Sequence, residues 1–112
     1  MELSRDLQIA TAAIDTSGLC LFVAFAVLDD PAAMEGICEI FSGYYGRSYT
    51  ADEFLATGKA ALAAERAFNR AAGFSRADDR LPDFFRTEKL APHDATFTVP
   101  DEELDQVYAD LD

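Results

Sequence analysis

The stretch L19-C-L-F-V-A-F-A-V-L28 decides the fold. Ten apolar residues in a row fit either a buried strand or a helix that is apolar all round, and periodicity inside the run does not separate the two. Its neighbours do. On the N-terminal side Leu3, Leu7, Ala10 and Ile14 recur at four, three and four residues, one apolar helical stripe over about Glu2 to Ile14. On the C-terminal side Asp30 precedes Pro31, an N-cap followed by a proline at the first helical position. Met34, Ile37, Cys38, Phe41 and Tyr45 then line one face of a further helix. The run is therefore read as a helix, capped by Thr16 or Ser17, reaching about Leu28 and forming the fully buried centre of the domain.

Further along, Thr50 and Glu53 form a T-x-x-E capping box for the longest helix, about Ala51 to Ala72. Phe54, Gly58, Ala61, Leu62 and Phe68 mark its buried face. Gly58 and Ala61 are small enough to let another helix approach closely, and Gly73 is a stop signal. From Phe74 the regular pattern gives way to a polar loop with one helical turn from Pro82 and a brief extended piece at A95-T-F-T-V99. A short acidic helix from Asp101 to Leu111 closes the chain, with Leu104, Val107, Tyr108 and Leu111 on its apolar side. The expectation is one all-α domain over residues 1–112: a compact bundle of about five helices with an irregular loop region before the last short one.

Bulk properties narrow the function. The 112 residues are half hydrophobic, so disorder is not the default, and the formal net charge of −12 argues against nucleic acid and anionic membrane surfaces. The run Leu19–Leu28 is too short to span a bilayer. Two cysteines, Cys20 and Cys38, make no disulfide framework, and no secretory leader is recognised, so a cytoplasmic, soluble chain is expected. No phosphate-binding loop, nucleophile elbow, paired C-x-x-C or H-E-x-x-H occurs.

The polar turn D15-T-S-G-L-C20 at the mouth of the apolar run carries the chemistry. A thiolate at a helix N-terminus faces free N–H groups and the positive end of the dipole, which favours it as a metal ligand. Gly18 permits a left-handed backbone or close approach by a planar ligand. The Asp15 carboxylate can accept two hydrogen bonds, as an amino-pyrimidine edge would require. From spacing alone a blander reading stands beside this one: Asp15 caps, Gly18 turns and Cys20 is a small buried hydrophobe. Cys38 reads as core. Glu65 and Asn69, four apart on the long helix, read as part of a helix-to-loop ion-pair system with Arg66, Arg76 or Arg80. Asp78 and Asp79, between Arg76 and Arg80, read as a self-compensated loop, and His93 as a surface residue.

Two stretches together, D15-T-S-G-L-C20 and E65-R-A-F-N-R-A-A-G-F-S-R-A-D-D-R-L-P82, resemble the C-terminal domain of the tungsten-containing aldehyde:ferredoxin oxidoreductase family. That family shows D-x-x-G-L-C and, further along, E-R-x-F-N-x-R-E-G-F-x-R-x-D-D-x-L-P, in the same order. The resemblance covers about Ile14 to Leu90. It implies that Asp15 hydrogen-bonds one of two pterins carrying tungsten or molybdenum, and that Gly18 and Leu19 bring backbone up to that pterin. It implies that Cys20 is the fourth ligand of a [4Fe–4S] cluster, and that ferredoxin accepts the electrons taken from an aldehyde. Glu65, Arg66, Asn69, Arg76, Asp78 and Asp79 match the second motif and read as structural staples.

Ala71 and Ala72 stand where the motif has R-E. The family's upstream cysteine run and N-terminal pterin-binding domain are absent from these residues. The reading is thus a piece of a larger enzyme, expected to be inactive and to bind neither tungsten nor cluster tightly alone. Its partners would be the missing domains and ferredoxin, with homo-oligomerisation compatible. The alternative is a helical interaction or dimerisation module that kept only the fold.

Overall fold

The computed structural model describes residues 2–111. Among them, helices run in the order α1 Glu2–Ser17, α2 Val23–Asp29, α3 Pro31–Tyr45, α4 Ala51–Ala71, a single 3₁₀ turn Arg76–Asp78, α5 Phe84–Thr87 and α6 Asp101–Leu104. No strand is present among the described residues. The extended piece expected at Ala95–Val99 reduces to one antiparallel bridge between Leu90 and Ala95, because no second strand exists to pair with it. The fold is all-α.

Local signals set most helix ends. Asp30 caps α3, its Oδ1 accepting from the Ala32 N–H at 2.9 Å, with Pro31 in the first turn. Thr50 and Glu53 close the capping box on α4: the Glu53 N–H donates to Thr50 Oγ1 at 3.2 Å, and the Thr50 N–H donates to Glu53 Oε2 at 2.9 Å. The Arg47 guanidinium also reaches Glu53 at 2.7 Å. These partners, Arg47 foremost, hold the Glu53 carboxyl below the usual carboxylate range. Past the end of α4, Gly73 takes a left-handed φ of +96°.

The pairing of α1 with α4 is the most extensive in the molecule, and Gly58 is its contact point. A Cβ built there would collide with the Ile9 carbonyl oxygen and lie 2.6 Å from the Ala13 nitrogen. Around this crossing Ala13, Ile14, Ile37 and Phe54 are buried, with Leu19, Val23, Ala24, Val27, Met34, Phe41 and Tyr49 packed against them. Tilted ring contacts from Phe41 to Phe54 (6.0 Å) and to Tyr49 (5.3 Å) tie α3 to α4 and to the loop that leads into it.

Three expectations are corrected here. The apolar run does not form a helix from Thr16 or Ser17 to Leu28, and it is not fully buried. Residues up to Ser17 continue α1, no side chain caps α2, and α2 is seven residues long with no buried residue. Only one side of it has elements to pack on. The stripe of α1 shifts as well: Ala13 and Ile14 are buried, whereas Leu3 and Leu7 stay exposed, Leu7 beside an open hollow that Ala61 and Leu62 of α4 share, and Phe68 on α4 is exposed too. The last helix stops at Leu104, and residues 105–111 follow as turns, with Val107 and Leu111 buried.

That tail is held by side chains. Arg80 bonds Asp105 at 2.8 Å and Asp101 at 3.3 Å, Arg86 bonds Asp101 at 2.5 Å, and Arg5 reaches Asp110 at 3.1 Å. The hydrogen bond to Asp105 raises the Arg80 guanidinium above its usual range. Arg66 stacks over the Tyr108 ring at 4.2 Å, and the Tyr108 hydroxyl donates to Gln8 Oε1. The whole is a slab of 52 × 40 × 19 Å.

Candidate functional site

The bend begins inside α1. Asp15, Thr16 and Ser17 form its last turn, Gly18 leaves it with φ +77°, and the Gly18 N–H donates to the Asp15 carbonyl at 3.1 Å. Ser17 locks the turn twice: its hydroxyl donates to the Ile14 carbonyl at 2.6 Å and accepts from the Leu19 N–H at 3.3 Å. Leu19 then turns inward against the core, and Cys20 is exposed. The Cys20 carbonyl accepts from the Val23 N–H at 2.9 Å, so the thiol precedes α2 by a turn rather than sitting in its first residues. The expected placement of Cys20 at a helix N-terminus is corrected accordingly: a seven-residue helix starting three residues later offers it little dipole.

Asp15 also lies elsewhere than a cap would. It is exposed in the last turn of α1, where the dipole disfavours a carboxylate and no basic residue compensates. A local rule broken without local compensation is a mark of sites kept for another purpose. Asp15 lines an open hollow of about 350 Å³ between α1 and α4, shared with Gln8, Thr11 and Glu65. Glu65 is exposed there, so burial demands no partner for it. On the other side of the bend, Thr16, Ser17 and Leu19 line a second hollow of about 400 Å³ with Tyr44, Tyr45 and Tyr49. Gly18, between them, has open space where a Cβ would point.

The donor set bears on metals. No group of three or more His, Cys, Asp or Glu side chains among the described residues is placed to hold a metal ion. Cys38 is half-buried on α3, and burial, then the Glu35 and Glu53 carboxylates, push its thiol up, against thiolate formation. Cys20 alone has the exposure a cluster ligand needs, so these residues fit one corner of a metal cluster.

The second motif folds into a staple. Arg66 on α4 meets Asp79 at 3.4 Å. Asp78 instead caps its own turn, accepting from the Ser75 N–H at 2.7 Å and the Ser75 hydroxyl at 3.0 Å, which holds its carboxyl below the ordinary range. Arg80 turns to the tail. Asn69, Arg70, Phe74 and Arg76 line an open cleft of about 570 Å³ beside this staple. His93 is exposed on its loop. The tail clamp of Arg80 and Arg86 on Asp101 and Asp105 escapes a reading by spacing, since its partners lie 15 to 25 residues apart.

An all-α domain with an open polar bend on its edge is thus the class that fold and site define. The family model for aldehyde ferredoxin oxidoreductase, domains 2 and 3, matches residues 1–111. A tungsten-containing aldehyde ferredoxin oxidoreductase of Pyrococcus furiosus is 36% identical over 84 residues, covering 74% of this chain and 13% of that protein. No solved structure matches. The chain belongs to the aldehyde ferredoxin oxidoreductase family and corresponds to its C-terminal part. It spans about an eighth of the length of the curated relative it matches. No helix among the described residues is long and apolar enough to cross a membrane.

Proposed function

We propose that the chain supplies one wall of the redox site of an aldehyde oxidoreductase whose other walls belong to the rest of the enzyme. The observation that carries this reading is the bend itself. Asp15, Gly18 and Cys20 are exposed on a turn that the Ser17 hydroxyl ties to the Ile14 carbonyl and the Leu19 N–H, between two hollows. In this reading Asp15 binds the edge of a pterin that carries tungsten or molybdenum, and the backbone at Gly18 and Leu19 lies against it. Cys20 is the fourth ligand of a [4Fe–4S] cluster. When bound, these groups take two electrons from an aldehyde as water converts it to a carboxylic acid with release of two protons, and pass the electrons on to ferredoxin. The chain's own residues orient the pterin and hold the cluster. The staple Arg66–Asp79 keeps α4 and its loop in register.

A non-catalytic interaction module would need an apolar face and would place no demand on Cys20. Here the thiol is exposed and adjoins the apolar face, which favours the redox reading. The test is anaerobic expression together with the polypeptide carrying the upstream cysteines. The wild type is expected to be brown and iron-loaded. Cys20→Ser should lose the [4Fe–4S] absorbance, and Asp15→Ala should lower pterin content with the iron retained. Full iron in Cys20→Ser would overturn the assignment.

A further inference from the structure

The outer side of α2 has no partner among the described residues. Leu21, Phe22, Phe25 and Leu28 follow one another along a single side of the helix and its lead-in turn, 51–76% exposed, with the rings of Phe22 and Phe25 stacked at 6.0 Å. The opposite side, through Val23, Ala24 and Val27, is spent on the core. A helix apolar on both sides fits a place between two layers, and only one layer is here. Contiguous exposed apolar surface of this kind marks interaction sites.

Charge says what kind of partner fits. From Asp6 to Gly46 there is no lysine or arginine, while Asp15, Asp29, Asp30, Glu35 and Glu39 are all exposed. An apolar face on a segment whose charged residues are all acidic suits a counterface with apolar residues in the middle and lysine or arginine at its rim. It repels a second copy of itself, because a two-fold interface sets the same acidic surround against its own like. The stripe also begins at Leu21, the residue after Cys20, so it adjoins the thiol to which the rest of the enzyme would bring further ligands.

We propose that the outer face of α2 is the docking surface for the part of the enzyme that completes the cofactor site, a partner apolar at the centre of contact and basic at its edge. This rests on the reading of Cys20 as a ligand. In keeping with it, 87% of the curated relative's length lies outside the matched stretch.

The experiment supplies that polypeptide in trans to the tagged 112-residue chain. With a photo-reactive benzoyl-phenylalanine in place of Phe22, the cross-link is expected on that polypeptide, at least tenfold above the same probe at Phe68, exposed on α4. Phe22→Asp/Phe25→Asp should cut the co-purified polypeptide tenfold or more, with helix content by circular dichroism unchanged. Cys20→Ser should co-purify as the wild type does while losing iron. Cross-links to a second copy of the chain, or undiminished co-purification of the double aspartate variant, would overturn the docking surface. Iron retained by Cys20→Ser with docking intact would overturn the ligand reading alone.

Discussion

Phe54 joins three elements through one ring: it stands on α4, meets Phe41 of α3 at 6.0 Å, and shares its burial with Ala13 and Ile14 of α1, at 2% exposure. With so few buried side chains, a cavity there has little around it that can rearrange. Phe54→Ala is expected to cost about 3–5 kcal/mol, read by urea unfolding. Glu53, one residue earlier, links stability to pH. Its carboxyl is held low in the folded state, chiefly by Arg47, so the unfolded chain binds the proton more readily. Its contribution is complete above the ordinary glutamate value, about 4.3, and is lost as pH falls from there toward the folded value. The melting temperature of the wild type should therefore fall across that acid range, and Glu53→Gln should flatten part of the fall. Scanning calorimetry at a series of pH values checks it.

At the scale of elements, the α1–α4 crossing reverses an ordinary rule. Glycine to alanine inside a helix normally stabilises by up to about 1 kcal/mol. At Gly58 the added methyl meets the Ile9 carbonyl and the Ala13 backbone, so Gly58→Ala should destabilise by about 1–3 kcal/mol. A gain in stability would mean that the helices cross elsewhere. This contact was readable in the sequence, as were the Asp30–Pro31 start, the Thr50–Glu53 box and the Gly73 stop, because each is signalled by residues within a turn or two of its effect. Helix α2 was not. Whether its outer side is buried depends on which other elements exist, and Phe22 and Phe25 look the same in either case. The start of α2 slipped for a related reason. Nothing before Gly18 forbids helix, so α1 runs on through Asp15 and draws that residue from cap to C-terminal turn. Cys20 and its motif were legible; the company Asp15 keeps, with Glu65 across a hollow, was not.

For the molecule as a whole, the Cα radius of gyration is 17.4 Å, against about 13 Å for a globular domain of this length. The excess is spread through a slab that leaves large apolar side chains such as Phe22, Leu28, Phe68 and Leu90 in water. Small-angle scattering of the monomeric chain is expected to give a radius near 17 Å; a value near 13 Å would mean that the helices close up in solution. The thickness of 19 Å has its own consequence. It amounts to about two helix diameters, so the described residues stack little more than two helices deep. A slab so thin would not by itself keep dissolved oxidants from a redox centre at its edge, where the proposed function puts one. In the proposed reading, that shielding would come from the part of the enzyme that completes the site.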